Sequence, residues 1–339
     1  MNQLKLGVAG VGHLGRLHAT LYKEVKNAEL IGIFDFDRGK SKKLAEELGV
    51  ESFQSLDEML NKTNAINIVT PTSNHFETAK RALEKDCHLF IEKPITQTEE
   101  QAEKIISIAA EKNKILQIGH IERFNPAILA LSDVEINPLF IESHRLASFN
   151  PRGTDVAVIL DLMIHDLDLI LSLVKSEPKN IEASGVGVIS DTIDIANARI
   201  QFENGCVANI TASRISTKKM RKMRIFQQNA YISLDFVDGF SEVYYIGKEE
   251  KKKFQDGTLA FSLGQIDTGK QNKEIRYNKL QRQGVNPLKF ELESFTDCIL
   301  TNTSPIVGGK EGLAALKLAN RVLGKIKEHT QIIQMRADN

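Results

Sequence analysis

Through the first 118 residues, short apolar runs alternate with stretches whose apolar positions recur every three or four residues. The runs at 4–8, 30–34, 51–53, 65–69, 88–91 and 115–118 read as strands. The stretches ending near 25 and spanning 41–47, 56–60, 75–84 and 98–111 read as helices. Strand and helix in alternation imply a parallel sheet covered on both faces, with ligands at the carboxyl ends of its strands. Beyond Pro138 the period shifts towards two, predicting strands at 140–147, 183–189, 195–202, 207–213, 223–227 and 231–236. Asn204-Gly205 and Asn229-Ala230 fall at hairpin turns. The greasy segment 156–174 reads as one helix, and helices at 288–300 and 308–326, announced by Pro287 and Pro305, close the chain. The expected fold is an α/β N-terminal domain (1–122) and a C-terminal α+β domain (123–339) on a largely antiparallel open sheet. Residues 248–253 (KEEKKK) are expected as a solvated loop, and 257–271 as another loop.

The first strand runs directly into Gly10-Val11-Gly12-His13-Leu14-Gly15. Gly10 allows a tight turn, Gly12 lets backbone approach a pyrophosphate, and Gly15 permits close packing of helix on strand. The helix start supplies N–H groups and partial positive charge to phosphates. Asp35 ends the second strand, 20 residues beyond Gly15. A carboxylate there accepts from the adenosine ribose hydroxyls and repels a 2′-phosphate, which favours NAD over NADP, with Arg38 as the opposing feature. These features make the first domain Rossmann-type. Two later strand ends carry distinctive residues. Thr70-Pro71 to His75 either starts a helix, capped by Asn74, or lies along the cofactor; Glu92-Lys93-Pro94 aims a lysine at the cleft.

Asp161, His165 and Asp168 sit four and three residues apart within the apolar segment 156–174, on one side of a helix. Buried carboxylates need partners or a cleft, so this cluster is either a packing network or half of a site. Asp166 points about 100° away from His165 and reads as a cap-like or interface residue. His120, Glu122, Arg123 and Asn125 follow the last strand of the first domain; Arg123 suits a phosphate or carboxylate on a substrate, or a salt bridge at the hinge.

The chain of 339 residues balances 44 basic against 44 acidic side chains, so no global field favours nucleic acid or an anionic membrane. Cys87, Cys206 and Cys298 are odd in number and far apart, against a disulfide framework. With no basic, apolar leader before the first strand and no run of 18 apolar residues, the expected location is cytoplasmic. Asp161 and His165, with His144 or Glu142, could offer metal ligands, but the chain lacks a recognised zinc signature and no metal is expected.

Together, the Gly10, Gly12, Gly15 turn with His18 after it, the Thr70-Pro71 to His75 loop, Glu92-Lys93-Pro94 and the Asp161 to Asp168 segment resemble the glucose-fructose oxidoreductase, inositol dehydrogenase and rhizopine catabolism (Gfo/Idh/MocA) family of NAD(P)-dependent sugar oxidoreductases. In that family the lysine of the EKP motif faces the nicotinamide. Ile159, Asp161, Met163, His165 and Asp168 take the positions of the second-domain motif, with Met163 where glycine is usual. The resemblance implies that Gly10, Gly12, His13, Leu14, Gly15, Asp35, Thr70, Pro71, His75, Glu92 and Lys93 bind NAD. It also implies that the open sheet is covered by another subunit in a homodimer or homotetramer. Residues 119–126 (GHIERFNP) with 159–168 are similar to the branch that oxidises the 3-hydroxyl of UDP-N-acetylglucosamine, ahead of transamination in pathways to lipid A or other surface polysaccharides.

The resemblance implies a small nucleotide-sugar substrate, with neither nucleic acid nor membrane as a partner. Oxidising a secondary alcohol needs a proton acceptor and a donor to the developing oxyanion, while the cofactor takes the hydride. Histidine matches proton acceptance near neutrality, so His165 is expected as general base and Lys93 as donor, with a desolvated Lys93 the alternative base. Asp161 would hold the imidazole or the sugar hydroxyls. Lys93, Arg123, Asn125, Asp161, His165 and Asp168 are the expected substrate contacts. Oxidation of a free sugar or polyol, an NADPH-dependent reductase and a non-catalytic dinucleotide sensor are the alternatives.

Overall fold

The structure, a computed structural model, describes residues 3–151, 153–246, 261–267 and 272–337. The first part of the chain alternates as its pattern predicts: β1 (Leu4–Ala9), α1 (His13–Leu21), β2 (Ala28–Phe34), α2 (Arg38–Leu48), β3 (Glu51–Ser52), α3 (Leu56–Leu60), β4 (Ala65–Ile68), α4 (His75–Glu84), β5 (His88–Glu92), α5 (Glu99–Glu111) and β6 (Leu116–Gly119). The six strands form one parallel sheet in the order β3-β2-β1-β4-β5-β6. Helix starts follow local chemistry: Asp37, Ser55 and Thr98 each accept a backbone N–H of the turn they cap. Asn74 departs from expectation. A 3-10 turn over Thr72–Asn74 precedes α4, and the Asn74 side chain makes no capping bond.

After a 3-10 turn (Ile121–Phe124) come α6 (Pro126–Leu129), β7 (Phe140–Leu146), a π turn (Ile159–Met163), α7 (Ile164–Val174), β8 (Pro178–Val186), β9 (Ile195–Phe202), β10 (Val207–Ser213), β11 (Met220–Gln227) and β12 (Ala230–Asp235). They are followed by β13 (Phe240–Ile246), β14 (Phe261–Asp267), β15 (Asn272–Leu280), α8 (Pro287–Thr301) and α9 (Gly309–Ala337). Strands β7–β15 build a nine-stranded sheet, order β14-β15-β13-β12-β11-β7-β10-β9-β8, antiparallel at every pairing except β7 with β10. Gly205 (φ +88°) and Asn229 (φ +61°) turn the two expected hairpins.

Three strands were hidden in the sequence. In β13 the inward Ser241 is wholly buried, and in β15 the inward Asn278 is nearly so, which breaks the apolar alternation a strand normally shows. The loop expected at 257–271 contains β14, while the KEEKKK run at 248–253 lies outside the described residues.

The chain divides into two compact units, residues 1–124 with 285–316, and 125–284 with 317–339. The contiguous division at 122/123 therefore needs correcting: the segment 285–316 returns to the first unit. The cause is the apolar face of α8, where Leu288, Leu292 and Phe295 at helical spacing join Leu6, Tyr22, Ile33 and Phe90 in one core. Each such side chain contributes about 1.5–3 kcal/mol on burial, more than linker continuity can oppose.

Candidate active site

In the first unit, Gly10 turns at φ +87°, and a Cβ there would lie 2.6 Å from the Val69 carbonyl oxygen. Gly15 packs closer still: its Cβ would stand 1.8 Å from the Gly10 oxygen, so only glycine brings α1 this near the turn. Gly12 caps α1 without a side-chain hydrogen bond, and a Cβ added to it meets nothing within 4 Å. An open space over a helix start whose N–H groups lack a side-chain cap fits a pyrophosphate. His13 and Leu14 are exposed in this first turn. Thr70 adds a buried hydroxyl without a hydrogen-bond partner at the adjoining strand end.

Asp35 follows β2 directly and braces this turn. One oxygen accepts the Val11 N–H at 2.6 Å and the other the Asp37 N–H at 2.8 Å. Arg38 is committed elsewhere, donating to the carbonyls of Phe53 (2.8 Å) and Gln54. The cation that weighed against NAD is thus anchored on backbone oxygens.

His75 is buried, with one ring nitrogen 3.0 Å from the Pro94 carbonyl oxygen and the other 2.9 Å from that of Thr70. Its ring ties the β4 exit loop to the β5 exit loop from inside. Burial lowers its pKa, against the backbone contacts that raise it.

Beneath the β5 exit lies a chain of buried polar groups. Tyr22 donates to Asn67 Oδ1 at 2.7 Å, Asn67 Nδ2 lies 3.0 Å from His18 Nδ1, and His18 Nε2 lies 3.0 Å from Glu92 Oε1. The other Glu92 oxygen faces the Lys93 N–H at 3.3 Å. Burial opposes ionisation of Glu92, yet the His18 hydrogen bond and the Lys93 charge hold its carboxyl below the usual range. Gly119, opposite Glu92 in the sheet, leaves room for that carboxylate: a Cβ would sit 2.9 Å from it. Tyr22 and Asn67 were missed from sequence, although an asparagine inside the apolar strand AINI is itself a signal of a buried partner.

In the second unit, the segment read as one helix opens with a π turn, in which the Ile164 N–H reaches the Ile159 carbonyl before α7 begins. Such single π turns often mark functional sites. Asp161 lies in the turn and His165 in the first turn of α7; both are half-buried, whereas Asp168 is buried. Asp166 corrects the cap-like reading. It is 1% exposed and receives Arg145 Nε at 2.6 Å, Arg145 Nη2 at 3.2 Å and the Ser143 hydroxyl at 2.9 Å. Because β7 alternates, Ser143 and Arg145 face α7 while Glu142 and His144 face the other way, so the latter pair cannot join Asp161 and His165 around a metal.

Asn125 is buried and held at both ends of its amide: its oxygen caps α6 by accepting the Ala127 N–H at 3.0 Å, and its nitrogen donates to the Phe236 carbonyl at 3.1 Å. Arg123 is half-buried in the 3-10 turn before it.

A turn of this kind takes a dinucleotide, and a lysine just past β5, on the same carboxyl edge of the parallel sheet, adds a polar group for chemistry, which defines an NAD(P)-dependent oxidoreductase acting on a CH–OH group. Residues 4–120 match the family model described as oxidoreductase family, NAD-binding Rossmann fold, and 142–233 match the GFO/IDH/MocA C-terminal domain. The chain belongs to the Gfo/Idh/MocA oxidoreductase family. It is 43% identical over 323 residues to UDP-N-acetylglucosamine 3-dehydrogenase of Acidithiobacillus ferrooxidans, covering 95% of this chain and 97% of that protein. A solved structure of that enzyme superposes with TM-score 0.85 at 36% identity, over 97% of this chain and 99% of the other. The scyllo-inositol 2-dehydrogenase (NAD(+)) of Bacillus subtilis is 29% identical over 236 residues, 63% of this chain and 68% of that protein.

Proposed function

We propose that this protein oxidises the 3-hydroxyl of a nucleotide sugar, UDP-N-acetylglucosamine, with NAD. The observation that carries the reading is the 43% identity along nearly the full length of an enzyme named for that reaction. Bound at the glycine turn, the dinucleotide supplies the hydride acceptor. His165 takes the hydroxyl proton, Lys93 donates to the oxygen as negative charge develops, and Asp161 orients the imidazole or the sugar hydroxyls. Asp168 and Arg123 support the substrate. Asp35, with Arg38 tied to two carbonyls, supports NAD over NADP.

We further propose that a second copy of the chain covers the open face of the nine-stranded sheet. Along that face Phe140, Phe226, Tyr231, Tyr244 and Tyr277 form a ladder with ring centroids 5.9, 5.0, 5.4 and 5.0 Å apart. Aromatic area of this kind is worth burying. Light scattering then reports a dimer or tetramer; a monomer at micromolar concentration refutes this part. Among the described residues no helix is long and apolar enough to cross a membrane. A cytoplasmic location fits the cofactor and substrate proposed.

The deciding experiment follows NADH formation with a panel of UDP-sugars and free polyols. UDP-N-acetylglucosamine is expected to turn over, with NAD preferred to NADP. No turnover of any UDP-sugar, beside clear turnover of a polyol such as inositol, would overturn the substrate. Binding of NAD with no turnover of any sugar would favour a dinucleotide sensor.

A further inference from the structure

The chain from Tyr22 to Glu92 ends on the residue next to Lys93, and its directionality is set by chemistry. A phenol donates to an amide oxygen, the same amide's nitrogen faces His18 Nδ1, and Nδ1 must therefore accept. One ring proton then sits on Nε2, whose N–H donates a hydrogen bond to the Glu92 carboxylate. Burial pushes the Tyr22 hydroxyl strongly upward, so it stays a donor. Spacing explains how the parts meet: Tyr22 lies four residues after His18 on one helix face, while Asn67, Phe90 and Glu92 share one face of β4 and β5. Phe90 holds the His18 ring edge-on at 5.3 Å. His18 is wholly buried, so water does not compete for its nitrogens.

We propose that Tyr22, Asn67 and His18 are positioning residues for the reaction, a buried relay that holds Glu92 as a fixed anion beside Lys93. The inference rests on the reading of Lys93 as the donor to the reacting hydroxyl. A fixed anion beside Lys93 holds the lysine in place as donor to the reacting oxygen, with proton removal assigned to His165. The effect of the relay passes through Glu92, whose one oxygen receives His18 and whose other faces the Lys93 backbone.

Three variants separate this role from simple core packing. His18→Leu removes the donor to Glu92; His18→Gln returns an N–H near the position of Nε2; Glu92→Gln keeps shape and removes charge. His18→Leu and Glu92→Gln are each expected to lower kcat about 10²-fold, the scale of misplacing a catalytic group, with KM for NAD within about twofold in His18→Leu. His18→Gln is expected to recover at least about tenfold of the His18→Leu loss. The double variant is expected to be no worse than either single, because both act along one path. Independently of turnover, 15N spectra of the protein without cofactor are expected to show His18 protonated on Nε2, and Asn67→Leu to abolish that preference. Full kcat in Glu92→Gln, additive losses in the double variant, or a proton on Nδ1 would each overturn the relay. Should the wild type turn over no UDP-sugar, the substrate reading fails, and the relay stands or falls on the His18 tautomer.

Discussion

Asp166→Asn tests how the site helix is anchored. The wild-type carboxylate and the Arg145 guanidinium are about 1% and 2% exposed, joined at 2.6 and 3.2 Å, with Ser143 donating to the same carboxylate at 2.9 Å. Asparagine keeps the shape but removes the charge and turns an N–H group, or a single remaining oxygen, towards a cation. At an effective dielectric of 20 and roughly 4 Å between charges, the lost attraction is about 4 kcal/mol, inside the roughly 3–5 kcal/mol seen when one partner of a buried pair is removed. For a unit of this size that lowers Tm by about 6–20 °C. With no tryptophan in the chain, urea unfolding followed by far-UV circular dichroism is the assay, with the midpoint falling and the slope unchanged. Replacing Asp166, Arg145 and Ser143 together by Leu, Met and Ala is expected to cost less than the single change, since no uncompensated charge remains. A loss below about 1 kcal/mol for Asp166→Asn would refute the reasoning.

Asp194 accepts the N–H groups of Val188, Ile189 and Ser190 at 2.7–2.9 Å and the Ser190 hydroxyl at 2.6 Å. Burial pushes its pKa up, but the Ser190 hydroxyl and these N–H groups together carry it well below the ordinary carboxylate range. Its stabilisation is therefore full above the unfolded value near pH 4 and drains away as pH falls through the lower folded value, so Asp194→Asn should lose about 2–3 kcal/mol at pH 7 and show a shallower acid slope. Gly15→Ala places a Cβ 1.8 Å from a backbone oxygen that cannot swing aside, and calorimetry should find NAD bound at least about tenfold more weakly. Asp35→Ala removes the brace on Val11 and the charge set against a 2′-phosphate, so NAD affinity should fall while NADP affinity, measured side by side, holds or rises.

Much of this architecture is visible in one dimension because local chemistry and global fold agree there. Alternation at 4–118 announces the parallel sheet, and Gly10 and Gly15 sit where a Cβ would strike backbone. Lys93 and Glu92 stand out as charges ending an apolar strand. Where β13 and β15 turn serine and asparagine inward, no apolar period remains to read, and those strands appear only once their neighbours satisfy them.

By itself, then, the order of residues determined the element types of the first unit, the glycine turn and the motif residues on which the proposed chemistry depends. The tertiary structure decided the partners. Asp166 became half of a buried ion pair, Asn125 a cap, and His75 a brace between two loops. It sent α8 back into the first unit and joined Tyr22, Asn67, His18 and Glu92, residues up to 74 apart in the chain, into one line. The reason is that periodicity says which side of an element is buried, whereas the group that satisfies a buried polar atom is chosen in three dimensions, by what the fold brings within hydrogen-bonding distance.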